Sequence, residues 1–167
     1  MPYSPFASGT NPIIPMDFPD PDIQRVGDAY YMVSTTMYFM PGCVILRSHD
    51  LIHWEFYTHV YDMLENTPAQ RLEGNANAYG KGMWAASLRR RGDTFYISFV
   101  AYDTQKTYLY SASDMKGPWK RNEIEGFYHD SSLFFDDDGR SYIVYGSTQI
   151  RITELNDDLT SPRPGGL

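Results

Sequence analysis

Two aspartates occupy matching places in this chain, each three residues ahead of an aromatic strand. Asp20 lies in Pro19-Asp20-Pro21-Asp22 and leads into Ile23-Gln24-Arg25-Val26-Gly27-Asp28-Ala29-Tyr30-Tyr31. Asp130 lies in Tyr128-His129-Asp130 and leads into Leu133-Phe134-Phe135, an acidic turn with Gly139, and then Tyr142-Ile143-Val144. Ala85, after Trp84, holds the corresponding place ahead of Leu88-Arg89-Arg90-Arg91. If these are three copies of one unit, Asp20, Ala85 and Asp130 face a shared centre. Two carboxylates converging on one centre can do acid–base chemistry. The prolines beside Asp20 fix φ and deny the ladder a donor, which would hold that carboxylate at the rim of the first strand.

Other polar groups invite chemistry less. Asp22 is two residues from Asp20, so strand alternation points it the same way, but it lacks the flanking prolines on both sides. Asp28 and Asp93 follow glycine in tight turns and read as structural. His49 and His53, four apart, would suit a metal on a helix, yet they flank an Asp-Leu turn. His129, beside Asp130, reads as support for the strand end, with contact to a substrate as its alternative. Cys43 sits in the apolar run Cys43-Val44-Ile45-Leu46 and reads as an inert core thiol. The run Arg89-Arg90-Arg91 reads as a solvated strand end.

Behind these residues stands a repeat. The first copy closes with Ser48-His49-Asp50-Leu51-Ile52-His53-Trp54, the second with Ser113-Asp114-Met115-Lys116-Gly117-Pro118-Trp119. The third reaches Asp157-Asp158-Leu159 without a tryptophan partner. Each copy reads as a strand, a glycine-containing turn, an aromatic strand, a third strand, and an acidic turn toward a fourth. The third hairpin turn, Asp136-Asp137-Asp138-Gly139-Arg140, is longer than the other two. Segments such as Thr94-Phe95-Tyr96-Ile97-Ser98-Phe99-Val100 are rich in aromatic and β-branched residues between Gly-Asp turns, the composition of strands. From Val60 to Gly82 the pattern breaks into a long loop with room for one helical turn. Four-stranded units at this spacing describe the blades of an all-β propeller, here about residues 20–60, 82–122 and 128–160. A meandering β-sandwich with similar hairpins is the alternative. Three blades leave a propeller open, since about four to eight are needed to close one. Residues 1–167 are therefore expected to form the N-terminal part of a larger propeller domain. A second chain or a C-terminal continuation would complete it.

The chain has 167 residues, 42% hydrophobic and 16% aromatic, enough for an ordinary core. A net charge of −7 argues against nucleic acid or an anionic membrane as partner. No apolar run approaches the ~18 residues of a membrane-spanning helix. No basic segment followed by an apolar stretch opens the chain, one cysteine is present and no N-x-Ser/Thr sequon occurs. Location stays open on these grounds, with the cytoplasm slightly favoured and secretion allowed.

Several ordered motifs carry a family resemblance. Asn11-Pro12-Ile13-Ile14, Phe18-Pro19-Asp20-Pro21-Asp22 and Arg25-Val26-Gly27-Asp28-Ala29-Tyr30-Tyr31-Met32-Val33-Ser34-Thr35 come first. Met40-Pro41-Gly42, Ile45-Leu46-Arg47-Ser48-His49-Asp50-Leu51, Trp54, Met83-Trp84-Ala85 and Asp130-Ser131-Ser132-Leu133-Phe134-Phe135-Asp136-Asp137-Asp138-Gly139-Arg140 follow. Together they resemble glycoside hydrolase family 43, from about Asn11 to Leu167. The resemblance implies a five-bladed β-propeller, of which this chain supplies about the first three blades. It also implies inverting hydrolysis of β-xylosidic or α-L-arabinofuranosidic bonds in hemicellulose-derived, pentose-containing oligosaccharides. Asp20 matches the family's general base and Asp130 the acid that orients the general acid. Trp84 resembles the tryptophan bordering the sugar pocket, with an inter-blade core role as its alternative, and Phe39 is the aromatic expected to wall the pocket. The family's general acid is a glutamate some tens of residues beyond the Asp130 position. Glu154 comes too early, so the proton donor is expected outside these residues and the segment alone is expected to be inactive. The resemblance requires no cofactor; calcium on the propeller axis is compatible with it, with ligands outside this chain. A non-catalytic carbohydrate-binding propeller is the alternative function. A related clan that acts on fructosides by retention uses an Asn-Asp-Pro-Asn-type motif, which Phe18-Pro19-Asp20-Pro21-Asp22 does not resemble.

Overall fold

The computed structural model describes residues 9–167; the first eight residues of the expected 1–167 propeller segment lie outside the described residues. Eleven antiparallel strands form three sheets among them. The first sheet runs in order through β1 (Asp22–Val26), β2 (Ala29–Ser34), β3 (Gly42–Ser48) and β4 (Trp54–Tyr61). The second runs through β5 (Met83–Arg91), β6 (Thr94–Ala101), β7 (Lys106–Ala112) and β8 (Lys120–Ile124). The third holds β9 (Ser132–Phe135), β10 (Ser141–Tyr145) and β11 (Arg151–Leu155).

Turn chemistry sets the registers. Val26 pairs Ala29 and Arg91 pairs Thr94 across two-residue Gly-Asp turns. Gly27 and Gly92 take φ of +62° and +58°, as tight hairpins of this twist demand. The third hairpin pairs Phe135 with Ser141 over a five-residue acidic loop, in which Asp136 N donates to Arg140 O at 2.9 Å. No regular fourth strand follows β11 among the described residues. The chain returns through a single bridge between Leu155 and Pro162. Pro162 and Pro164 bring no amide donor, so a longer ladder cannot form there. The segment between β4 and β5 contains one turn of helix-like bonding, with Arg71 N donating to Thr67 O at 3.0 Å.

The sheets stack face to face. Val33, Ile45 and Val60 of the first sheet bury against Leu88, Ile97 and Phe99 of the second. Leu109 and Ile124 of the second bury against Leu133, Ile143 and Leu155 of the third. Each such side chain contributes about 1.5–3 kcal/mol by leaving water. Between sheets, the first strands meet: β1 touches β5, and β5 touches β9. The opening strand of every sheet thus lies on one common side, which is how propeller blades surround an axis.

The arginine run is a correction to the solvated strand end expected above. Arg89 Nη1 reaches Asp22 Oδ2 of the first sheet at 2.5 Å, and Arg89 Nε donates to Leu133 O of the third at 3.1 Å. Arg91 Nη1 donates to Ser141 Oγ at 2.8 Å and lies over the Phe135 ring. Alternation along β5 sends Arg89 and Arg91 to one side and leaves Arg90 with Asp93 in solvent. One strand therefore ties three sheets together.

A second tie is tighter. Met37 and Met83 exchange backbone hydrogen bonds of 3.1 and 2.8 Å between the first and second sheets. Beside them, a Cβ on Gly82 would fall 1.9 Å from the Met37 carbonyl oxygen. Gly82→Ala is expected to lower stability by about 1–3 kcal/mol, as overpacking does. A denaturant midpoint unchanged from wild type would show that this approach of two backbones is not required.

Candidate active site

Asp20, Ala85 and Asp130 share a backbone peculiarity: their φ values are +51°, +40° and +49°. An L-residue pays roughly 1–2 kcal/mol to be left-handed, and aspartate pays least because its short polar side chain can bond locally. Alanine has no such relief. Ala85 is instead fixed by its surroundings, in a stretch where the β5–β6 register shifts between Trp84 and Ser87. Its amide also donates to Thr35 Oγ1 at 2.8 Å. Bulges of this kind re-aim a strand near functional sites. The conformation turns each of the three positions off its strand toward one centre.

Each aspartate is anchored through the residue before it. Pro19 O accepts from Thr35 N at 3.1 Å and from Ser34 Oγ at 2.6 Å. His129 O accepts from Gly146 N at 2.9 Å. Thr35 and Gly146 stand just past the second strand of their sheets, so the two attachments are equivalent. The Thr35 hydroxyl then donates to Asp20 Oδ2 at 2.8 Å. Because Thr35 Oγ1 already accepts from Ala85 N, its own hydrogen is directed at the carboxylate. Oδ1 of Asp20 stays available for another partner.

The three positions line one open cavity of about 380 Å³, together with Asp22, Arg89 and Ser131. Asp22 is present but committed: its Oδ2 accepts from Leu88 N at 2.9 Å and from Arg89. At the other end, His129 Nε2 lies 3.2 Å from Asp130 Oδ2. The opposite ring nitrogen, Nδ1, is 2.9 Å from the Tyr102 hydroxyl. Burial raises the pKa of that phenol, and the nearby Asp130 charge adds to the effect.

Trp84 is half-buried beside this group, its ring centre 4.7 Å from Tyr102 and 6.1 Å from His129. It is not among the residues lining the cavity and reaches the Asp130 side only by way of those rings. Phe39 goes elsewhere. The left-handed Met37 and its bridge to Met83 turn the loop, Tyr38 packs edge-on against Tyr79, and Phe39 stacks on Tyr38. Phe39 is 60% exposed. It lines a separate, larger groove of about 660 Å³ on the first sheet, with Ile14, Met16, Trp54 and Phe56. That groove reaches Pro19 and Thr35 but holds no pair of carboxylates.

The remaining candidates are structural here. Glu154 is buried, 3.2 Å from Arg163, away from the cavity. His53 pairs with Asp50 at 2.7 Å, and His49 Nδ1 contacts Asp28 O at 3.0 Å. Cys43 is fully buried, which pushes its thiol pKa far up. Trp54 donates its indole N–H to Leu51 O at 3.1 Å, and Trp119 packs on the core between the first two sheets. No group of three or more His, Cys, Asp or Glu side chains suited to a metal occurs among the described residues. Thr35, Tyr102 and Arg89 had no individual signal in the sequence. Each acts on a partner far along the chain.

Known proteins share this sequence pattern and fold. The profile described as "Glycosyl hydrolases family 43" matches residues 9–165. A β-xylosidase of Formosa agariphila is 32% identical over 139 residues, covering 80% of this chain and 23% of that protein. A non-reducing end α-L-arabinofuranosidase of Bacteroides ovatus is 35% identical over 143 residues, covering 83% of this chain and 26% of that protein. Among solved structures, a bifunctional GH43-CE protein of Bacteroides eggerthii superposes with a TM-score of 0.90 at 44% identity. That match covers 95% of this chain and 20% of the other. The chain thus spans about a quarter or less of the length of these relatives.

Proposed function

The chain belongs to glycoside hydrolase family 43, supplying about the first three blades of a five-bladed β-propeller, and from that premise we propose an inverting pentosidase with Asp20 as general base. Its substrates would be oligosaccharides carrying β-xylosyl or α-L-arabinofuranosyl units, the bonds named for the relatives above. One observation carries the proposal: two carboxylates on matching left-handed positions border the same cavity.

Inversion needs a base that takes a proton from water on one face of the sugar and an acid that protonates the leaving oxygen on the other. The two carboxyl groups lie ~6.5–9.5 Å apart to leave room for the water. Asp20 would use Oδ1 for the water, since Thr35 occupies Oδ2. Asp130 would orient the general acid and raise its pKa by like charge. No glutamate lines the cavity among the described residues, so the acid itself is assigned to chain outside residues 1–167. Trp84 would wall the sugar site beside Asp130, and Phe39 would act only at the outer rim.

The test is hydrolysis by the full-length protein of xylo- and arabino-oligosaccharides, with the anomer of the first product read by NMR. Inverted product supports the proposal. Retained product would refute the base assignment, and saccharide binding without turnover would favour a non-catalytic binding propeller. Thr35→Val removes the hydroxyl while keeping the shape. It should lower kcat about tenfold or more through a loosened Asp20, with little change in KM. It should also cost about 1–3 kcal/mol of stability by leaving the Ala85 amide unpaired. Unchanged kcat would mean that Thr35 only braces the sheets.

A further inference from the structure

A line of side-chain contacts that the catalytic proposal does not use leads to Asp130. Tyr102 stands just past β6, and its ring is clamped between Trp84 at 4.7 Å and Phe127, edge-on at 5.0 Å. The clamp fixes where its hydroxyl points, which is at His129 Nδ1, 2.9 Å away. With Tyr102 as donor to Nδ1, the imidazole proton belongs on Nε2. That atom faces Asp130 Oδ2 at 3.2 Å. Burial raises the Tyr102 pKa, which keeps the phenol a donor. The His129 backbone is pinned independently, its carbonyl accepting from Gly146 N at 2.9 Å. The titratable groups facing His129 are Tyr102, from the segment after β6, and Asp130 beside it. From β5 it meets the uncharged Trp84 ring.

We propose that His129 is the positioning residue of Asp130, set in place by Tyr102, and that this relay tunes the acid side of the reaction. The proposal rests on the glycosidase assignment for its kinetic consequence but not for its geometry. A carboxylate that orients a general acid acts through distance, and a shift of about 1 Å can cost ~10²-fold in rate. Keeping His129 Nε2 beside one oxygen of Asp130, 3.2 Å away, would restrict that distance. Release of Asp130 weakens its like-charge effect on the acid, so the acid would deprotonate at lower pH.

In the full-length protein, His129→Leu should lower kcat by about 10- to 100-fold with KM little changed. The alkaline limb of the kcat–pH profile should move to lower pH. His129→Gln, which keeps an N–H donor at similar reach, should recover most of both effects. Tyr102→Phe should move the limb in the same direction by less. A uniform loss of melting temperature with the pH limb unmoved would reduce His129 to a structural brace and overturn the proposal. The relay has its own readout in the 15N spectrum of labelled His129. Tyr102→Phe should shift Nδ1 and Asp130→Asn should shift Nε2. If neither resonance moves, the relay is wrong whatever the activity; if both move in a protein without glycosidase activity, the relay stands and the catalytic assignment fails.

Discussion

Asp20→Asn in the full-length protein is expected to lower kcat on xylo- or arabino-oligosaccharides by ~10²–10⁴-fold, the share that general-base assistance supplies. The amide is nearly isosteric and still accepts from Thr35 through its oxygen, so the fold and the left-handed backbone at this position have no reason to change. Substrate affinity should also hold, because the base acts on water and not on the sugar. The loss therefore belongs in kcat, with KM and melting temperature close to wild type. Near-normal turnover would move the base elsewhere. Asp22 would then be the first suspect, but its Oδ2 is already engaged by Leu88 N and Arg89. Removing Asp22 should act on stability first, by stranding Arg89 between three sheets.

The same contrast shows what a sequence can disclose here. The strands were legible because Gly27-Asp28 and Gly92-Asp93 punctuate alternating aromatic runs, and local turn chemistry fixes such hairpins. Equivalence of Asp20, Ala85 and Asp130 was legible from the repeat. Their shared left-handed backbone was not, because an alanine gives no sign of positive φ. Contacts between sheets were the weakest point. Arg89 meets Asp22 from 67 positions away, and Ala85 meets Thr35 from 50. Composition along the chain says nothing about such pairs, so a basic run that joins sheets looked like a solvated end. Alternation alone would have separated Arg89 and Arg91 from Arg90. Phe39 illustrates a different limit. Its loop lies near the right end of the sheet, but the direction of an aromatic on a loop depends on the Met37–Met83 bridge, a long-range pairing.

Residues 1–167 alone should not hydrolyse a xylo- or arabino-oligosaccharide at a measurable rate. They carry the proposed base and orienting acid, but no glutamate borders the cavity among the described residues to protonate the leaving oxygen. Loss of that assistance alone is worth ~10²–10⁴-fold. An aryl pentoside, whose leaving group needs little protonation, would escape part of the penalty, so the natural oligosaccharide is the stricter substrate. The isolated segment should also self-associate. Its first sheet presents the groove lined by Met16, Trp54 and Phe56, and its third sheet exposes Phe134 and Ile152, with Ile150 exposed just before β11. Apolar strand faces of this kind seek partners in water. Sedimentation velocity across a concentration series reads this directly, with mass rising as concentration rises. A monodisperse monomer that melts cooperatively and cleaves the oligosaccharide would overturn both expectations. The proton donor would then have to lie among residues 1–167, and Glu154, freed from Arg163, would be the residue to change next.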